Sequence, residues 1–485
     1  MTREALDLKI SGVVQGVGFR PFVYREAKKR DITGWVLNDV EGVKVHAEGE
    51  TLPLDRFVLA LSEEAPAAAQ ISEIEIAEVP VQGFDAFEIR FSDAAEQGET
   101  TLVSPDLATC DACVEELFDP NNRRYHYPFI NCTNCGPRFT IMRKLPYDRP
   151  ETSMAQFAMC PACQEEYSDP ADRRFHAQPD ACFECGPEIG WIESGCVDGL
   201  SPEGISWAKN VEESDEIFHR AAKLIEEGGI VAVKGLGGYH LVCDAANEAA
   251  LATLRQRKHR PGKAFAVMVA SVEEARALCG VNDAEARQLA SPARPIVLLR
   301  KRSDATFAKG LADNLPELGV MLPTTPVQHL LLHECGGMLV MTSGNIHDEP
   351  IVIDEETAFS QLAGVADAFL VNNREIVGRY DDSVIRILNG GAAGDIVQFI
   401  RRARGYAPLP IPAPCPEGTS EELLAVGPEQ KSTLTYARAG KAFVSQHVGD
   451  LESAAVFDAW SETRRRYASL LHFEPKRIVC DYHPV

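Results

Sequence analysis

Four C-x-x-C pairs set the tightest limit on how this chain folds: Cys110/Cys113, Cys132/Cys135, Cys160/Cys163 and Cys182/Cys185. They form two units of pattern C-x2-C-x18-C-x2-C. The second unit repeats the first fifty residues on, CDACVEELFDPNNRRYHYPFINCTNCGP against CPACQEEYSDPADRRFHAQPDACFECGP. Such self-similarity marks a duplicated module. Two short knuckles offer four thiolates to a tetrahedral ion and leave no position for a substrate, as structural zinc requires. We therefore expect two structural Zn2+ ions, with the spacing leaving open whether the four pairs close in sequence order or cross between the repeats. A redox role for one C-x-x-C is the competing reading. A disulfide framework is disfavoured, because MTREALDLKISG lacks the apolar stretch of a secretion signal. His126 and His176 sit at matching positions (RRYHYP, RRFHAQ) and would overfill the sites, so they read as packed or hydrogen-bonded histidines.

At 485 residues the chain has room for three or four domains. With 72 acidic against 48 basic residues, a net charge of −24, its surface repels nucleic acid and anionic membrane. No run approaches the ~18 apolar residues of a membrane helix. The expectation is a cytoplasmic, multidomain α/β protein with neither nucleic acid nor membrane as partner.

SGVVQGVGFRPF follows an alternating strand, DLKISGVV, and Pro21 suits the first position of a helix. Backbone N–H groups of such a loop, Gln15, Gly16, Val17, Gly18 and Phe19, make an anion site. The helix turns Phe22, Val23 and Ala27 inward. A hairpin at Glu41-Gly42 follows, then a helix with Leu54, Phe57, Val58 and Leu61 on one face, then ISEIEIAEV and FDAFEIRFS. The order βαββαβ over 5–92 is a ferredoxin-like α/β sandwich. Gly16-x-Gly18 with Asp39 twenty residues on is not a dinucleotide fingerprint, because Pro21 stands where the third Gly belongs. GVVQGVGFR followed by GWVLNDVEGVKVHAEG resembles the signature of acylphosphatases. That resemblance implies that Arg20 grips the phosphoryl oxygens beside the loop amides and that Asn38 orients the attacking water.

The twin zinc modules span 105–192. After a Gly/Pro/Ser-rich break, an α/β unit is expected over 207–396, opening on strand VAV, Lys234 and a Gly-rich turn to His240. LRQRKHRPGKAFAVMVA packs Arg255, Arg257, Lys258, Arg260 and Lys263 into nine residues, and MTSGNIHDEP supplies Thr342, Ser343 and Asn345 after strand GMLVM. On so acidic a chain this reads as a polyphosphate pocket, with Arg386, Arg401 and Arg402 as further phosphate contacts. The K-x-R-P-x-K run and TSGN resemble the YrdC family, which implies ATP, with Mg2+, as substrate and adenylation of a carbamate; Lys234 and His240 lie in its matching opening segment.

LLAVGPEQKST is not a P-loop, since Ala425 stands in place of the first Gly and Gln430 precedes Lys431. It resembles the start of an actin-like carbamoyl-transfer domain, over 415–485, short of a complete fold. Together the four blocks resemble the carbamoyltransferase family of NiFe-hydrogenase maturation. The resemblance implies hydrolysis of carbamoyl phosphate at Arg20/Asn38, adenylation of the carbamate with release of pyrophosphate, and transfer of the carbamoyl group to the C-terminal cysteine of the acceptor protein HypE. With the last domain incomplete, hydrolysis and adenylation are expected without transfer. Carbamate decomposes in water, so an enclosed path between the first two sites is also expected. The alternatives are a threonylcarbamoyl-adenylate synthase for tRNA modification and a zinc-finger nucleic-acid adaptor; the acylphosphatase block opposes the first and the net charge the second.

Overall fold

The computed structural model describes residues 3–14, 16–39, 42–66, 68–90, 102–145, 147–195, 200–346, 349–391, 394–413 and 421–482. The N-terminal domain has β1 (Arg3–Val13), α1 (Phe19–Lys29), β2 (Thr33–Asp39), β3 (Gly42–Glu50), α2 (Thr51–Glu63), β4 (Gln70–Val79) and β5 (Phe87–Ile89). Its sheet runs β4-β1-β3-β2-β5. Alternation along β1 and β3 pairs Leu8 with Val45 and Ile10 with Val43, and these face Phe22, Val23 and Ala27 of α1 and Leu54, Phe57 and Leu61 of α2. Val58 is only partly buried, and Ala60 completes the inner face of α2 instead. Helix α1 starts two residues before Pro21, because Gly18 takes a left-handed φ of 74° and caps it. The β2–β3 pairing ends at Asp39 opposite Gly42, and the turn residue Glu41 lies outside the described residues.

Each cysteine module opens with a helix directly after its first cysteine, α3 (Asp111–Phe118) and α4 (Pro161–Ser168). The repeat extends to the backbone: His126 and His176 have left-handed φ of 54° and 55°.

The largest sheet has twelve strands among the described residues. Its main path runs from Ser206–Trp207 and Ile189–Glu193 through Ala368–Asn372, Val231–Lys234, Tyr239–Asp244, Leu339–Ser343, Ala266–Met268, Glu317–Met321, Ile296–Lys301 and Val384–Asn389 to Asp395–Arg401. One face packs on Leu251, Leu254, Leu289 and Phe359. The other packs on Ile217, Phe218, Leu330 and Leu331, in one apolar cluster with Cys113, Leu117, Tyr127 and Ile130 of the first cysteine module. That module is thereby part of the core of its neighbour. A third sheet joins Ile411–Pro412, Lys441–Val444, Thr435–Arg438, Leu423–Ala425 and Arg477–Val479. The helix Ala454–Leu470 seats Tyr467 and Leu470 against Tyr436 and Phe443 and reaches Phe139 and Tyr380. Among the described residues no helix is long and apolar enough to cross a membrane.

Candidate active sites and metal centres

The cysteine pairs close in sequence order. Sγ separations are 3.7 Å for Cys110–Cys132, 3.8 Å for Cys132–Cys135 and 3.5 Å for Cys113–Cys135. The second cluster gives 3.8, 3.9 and 3.6 Å for Cys160–Cys182, Cys182–Cys185 and Cys163–Cys185. A tetrahedral zinc with Zn–S of about 2.3 Å needs sulfur–sulfur edges of about 3.8 Å, so each cluster fits one structural zinc ion.

What does cross between the modules is arginine. Arg123 of the first places Nη2 3.2 Å from Cys163 Sγ and pairs with Glu166; Arg173 of the second places Nη2 3.2 Å from Cys113 Sγ and pairs with Glu116 at 2.8 Å. Arg124 and Arg174 follow the same exchange, to Glu166 and Glu116, and converge on the buried Asp180 at 2.9 and 3.4 Å. Four thiolates on one divalent ion carry excess negative charge, and each module neutralises the other's. The histidines take no part: His126 Nδ1 lies 2.8 Å from Asp215, and His176 stacks on Tyr167.

The loop after β1 faces the cysteine modules. Arg138 Nε donates to the Gly16 carbonyl at 3.0 Å, while its other nitrogens donate to the carbonyls of Cys132, Thr133, Cys135 and Pro137. The knuckle Cys132-Thr133-Asn134-Cys135 lies so close over Gly18 that a Cβ there would stand 2.5 Å from Asn134 Oδ1. With Gly18 capping α1, the first amides of the helix stay open to an anion. Burial lowers the pKa of the Arg20 guanidinium, opposed by the charges of Asp148 and Tyr167, and an arginine remains cationic regardless. Asn38 Oδ1 is buried without a hydrogen-bond partner among the described residues. Gln15 lies outside the described residues.

The second anion site is built from cations. Lys258 Nζ contacts the Ser343 carbonyl and Asn345 Oδ1, the latter at 3.0 Å, and Ser343 Oγ donates to Asn345 Oδ1 at 2.7 Å. Arg260 donates to Thr342 Oγ1 at 3.2 Å and lies over the Phe265 ring. Burial, then Arg260, brings Lys258 down to about 7; burial, then Arg255 and Arg401, brings Arg260 down to about 10; and burial, then Arg260 and Arg401, lowers Lys263. Arg401 is paired with Asp381, and His447 from the C-terminal unit, held at about 4 by burial and Arg401, faces the same group. Cations that depress one another are short of negative charge, a deficit that a polyphosphate fills.

The rest of the basic run has other duties. Arg255 donates to the carbonyls of Gly310, Arg260 and Lys263, and Arg257 to that of Val365 and to Asp367. Arg386 pairs with Glu317 at 2.6 Å. Arg402 is not a free phosphate contact, as its guanidinium serves the carbonyls of Val444, Tyr406 and Leu409. Lys234 is buried against Glu355 and the Asn372 carbonyl, and His240 against Asp382, which Arg404 also holds. The sequence reading missed Asn134, Arg138, Asp148, Tyr167, Arg374 and His447. The doubled arginines between the cysteine pairs were the one legible signal of the cross-neutralisation.

A cavity of about 20 Å3 lies between the first cysteine module and the largest sheet, lined by Gly136, Pro137, Lys234, Thr325, Asn372 and Arg374 among others. Residues 133–138 thus touch the phosphate loop on one side and this cavity on the other.

Fold and sites define a multidomain protein with an acylphosphatase domain, paired structural zinc modules and a YrdC-like domain. The acylphosphatase family model matches 6–89, and 89 residues are 37% identical to the acylphosphatase of Thermotoga petrophila, covering 98% of it. The Sua5/YciO/YrdC model, described as telomere recombination, matches 223–403; the HypF finger model matches 109–142 and 159–192; the HypF Kae1-like domain model matches 418–485. Over 99% of its length the chain is 44% identical to the carbamoyltransferase HypF of Synechocystis and 47% identical to HypF2 of Cupriavidus necator. A crystal structure of full-length HypF in the phosphate- and nucleotide-bound form superposes with a TM-score of 0.87 at 44% identity. Along its whole length the chain is similar to HypF proteins. It covers 99% of itself but spans about 60% of the length of the first two of these relatives and of that crystal structure's chain.

Proposed function

We propose that this chain carries the first two chemical steps of a hydrogenase-maturation carbamoyltransferase, in the cytoplasm, with HypE as the acceptor of a third. Carbamoyl phosphate binds with its phosphoryl oxygens on the amides of Gly16–Phe19 and on Arg20, whose donors stabilise the charge of in-line displacement. Asn38 Oδ1, a buried acceptor with no other partner among the described residues, takes a hydrogen bond from the attacking water. Water adds to phosphorus, and carbamate leaves as inorganic phosphate forms. Carbamate then attacks the α-phosphorus of ATP, with Mg2+, yielding carbamoyl-AMP and pyrophosphate. Lys258, Arg260, Lys263 and Arg401 hold the polyphosphate, with Thr342, Ser343 and Asn345 as short polar partners; Lys234, His240 and Arg386 are the further candidates of this domain for nucleotide or carbamate binding. The carbamoyl group finally passes from carbamoyl-AMP to the C-terminal cysteine thiol of HypE, forming a C–S bond as the acyl C–O bond breaks and AMP and the thiol proton leave.

One observation carries this reading: the acylphosphatase loop abuts a zinc knuckle whose following residues, Gly136 and Pro137, line a small cavity against the domain that holds the cationic cluster. The cavity's buried cations, Lys234 and Arg374, suit passage of an anion shielded from water. The test is pyrophosphate release from ATP, with and without carbamoyl phosphate, for wild type and Arg20→Ala. The expected result is release that needs both carbamoyl phosphate and Arg20. Equal release in all four cases would falsify the coupled mechanism.

A further inference from the structure

The acylphosphatase loop is lidded by a residue of another domain. Asn134 occupies the second variable position of the knuckle Cys132-Thr133-Asn134-Cys135 and approaches Gly18 so closely that only a glycine fits beneath it. The approach is fixed at several points. The Asn134 backbone N–H points at Cys132 Sγ at 3.4 Å, Thr133 bonds the Arg173 carbonyl through its N–H at 3.2 Å and its hydroxyl at 2.9 Å, and Arg138 ties the knuckle to the Gly16 carbonyl. Held in this way, Asn134 Oδ1 is buried and has no hydrogen-bond partner among the described residues. A buried acceptor left unpaired costs about 1–3 kcal/mol, so one retained beside a binding loop points to a donor that arrives with the ligand. The metal does not demand an asparagine: the matching knuckle of the second module is Cys182-Phe183-Glu184-Cys185, and its Phe183 ring packs edge-on to Tyr127.

We propose that Asn134 is a specificity-determining residue of the acyl-phosphate site, accepting a hydrogen bond from the substrate's carbamoyl NH2. Loop amides and Arg20 read the phosphoryl end, which every acyl phosphate shares, and Asn134 reads the acyl end. Acetyl phosphate, with a methyl in place of the amine, fits the same space and leaves Oδ1 unpaired. The inference rests on the carbamoyl-phosphate reading above.

The test uses the full zinc-loaded chain and measures inorganic phosphate released from carbamoyl phosphate and from acetyl phosphate, for wild type, Asn134→Ala and the near-isosteric Asn134→Leu, with zinc content measured alongside. Wild type is expected to favour carbamoyl phosphate in kcat/KM. Both variants are expected to lose roughly tenfold on carbamoyl phosphate, the value of one hydrogen bond to a buried acceptor. On acetyl phosphate they change little, so the preference collapses while zinc stays at two per chain. An equal loss on both substrates, or an unchanged ratio, overturns the role of Asn134 and leaves the hydrolytic reading standing. A wild-type chain that hydrolyses neither substrate overturns that reading and this inference together.

Discussion

The two anion sites solve one problem in opposite ways. At the acylphosphatase loop the proposed binding groups are backbone amides, one guanidinium and one amide side chain, beside a left-handed glycine and covered by a knuckle from another module. At the proposed nucleotide site Lys258, Arg260, Lys263 and Arg401 crowd together until burial and mutual repulsion lower three of them, and short side chains at and after the end of Leu339–Ser343 contact Lys258 and Arg260. The first site stabilises charge by geometry and suits a group that changes shape as it reacts. The second stabilises charge by number and suits a polyanion held as a whole. The sites therefore fail differently.

Arg20→Ala removes the only side-chain cation assigned to the first site. Acyl-phosphate hydrolysis, followed as phosphate release, is expected to fall by a factor on the order of 10^2–10^3, with nucleotide affinity unmoved. A parallel loss of affinity would mean that the two sites are not independent.

Lys258→Met is the converse. Losing one charge-assisted contact among several weakens ATP binding by roughly ten- to a hundredfold in a titration, with acyl-phosphate hydrolysis intact.

Gly18→Ala tests geometry alone. A side chain at φ 74°, 2.5 Å from Asn134 Oδ1, costs roughly 1–2 kcal/mol in a urea melt and lowers hydrolysis through the displaced knuckle. The same step leaves ATP affinity unchanged.

The smallest effect is protonic. Lys258 sits at about 7, below its ordinary 10.5, so the empty folded site binds fewer protons than the unfolded chain between those values; the stability lost through this lysine is complete below pH 7 and recovered as pH rises toward 10.5. A bound polyphosphate pushes Lys258 back up. Calorimetry in buffers of different ionisation enthalpy should show up to about one proton taken up per nucleotide near pH 8 and little below pH 6, with no uptake in Lys258→Met. Uptake that survives the substitution would place the titrating group elsewhere.

Much of this organisation was legible in residue order. Alternation and helical spacing gave the βαββαβ domain, because its core is made by neighbours in sequence; the start of α1 moved, since Gly18 rather than Pro21 ends the loop, and the segment FDAFEIRFS forms a strand only over Phe87–Ile89 among its described residues. Zinc spacing was legible for the same reason, each cluster being two local knuckles. Long-range pairing was not. Nothing near Arg402 in sequence announces the Val444 carbonyl, and nothing near Arg386 announces Glu317, so a basic run overstates the cations left free for a ligand. Asn134 was invisible because its role depends on a loop more than a hundred residues away.

The exchanged arginines have a consequence for metal supply. Each four-cysteine cluster is finished only when its twin has folded enough to lend Arg123 and Arg124, or Arg173 and Arg174. Loading is then expected to be cooperative, with capture of the first ion ordering the residues that stabilise the second. Under limiting zinc, native mass spectrometry should find chains with two ions or none and few with one. Since the knuckle Cys132-Thr133-Asn134-Cys135 also covers Gly18, chains with fewer than two ions are then expected to lose acyl-phosphate hydrolysis along with the second ion.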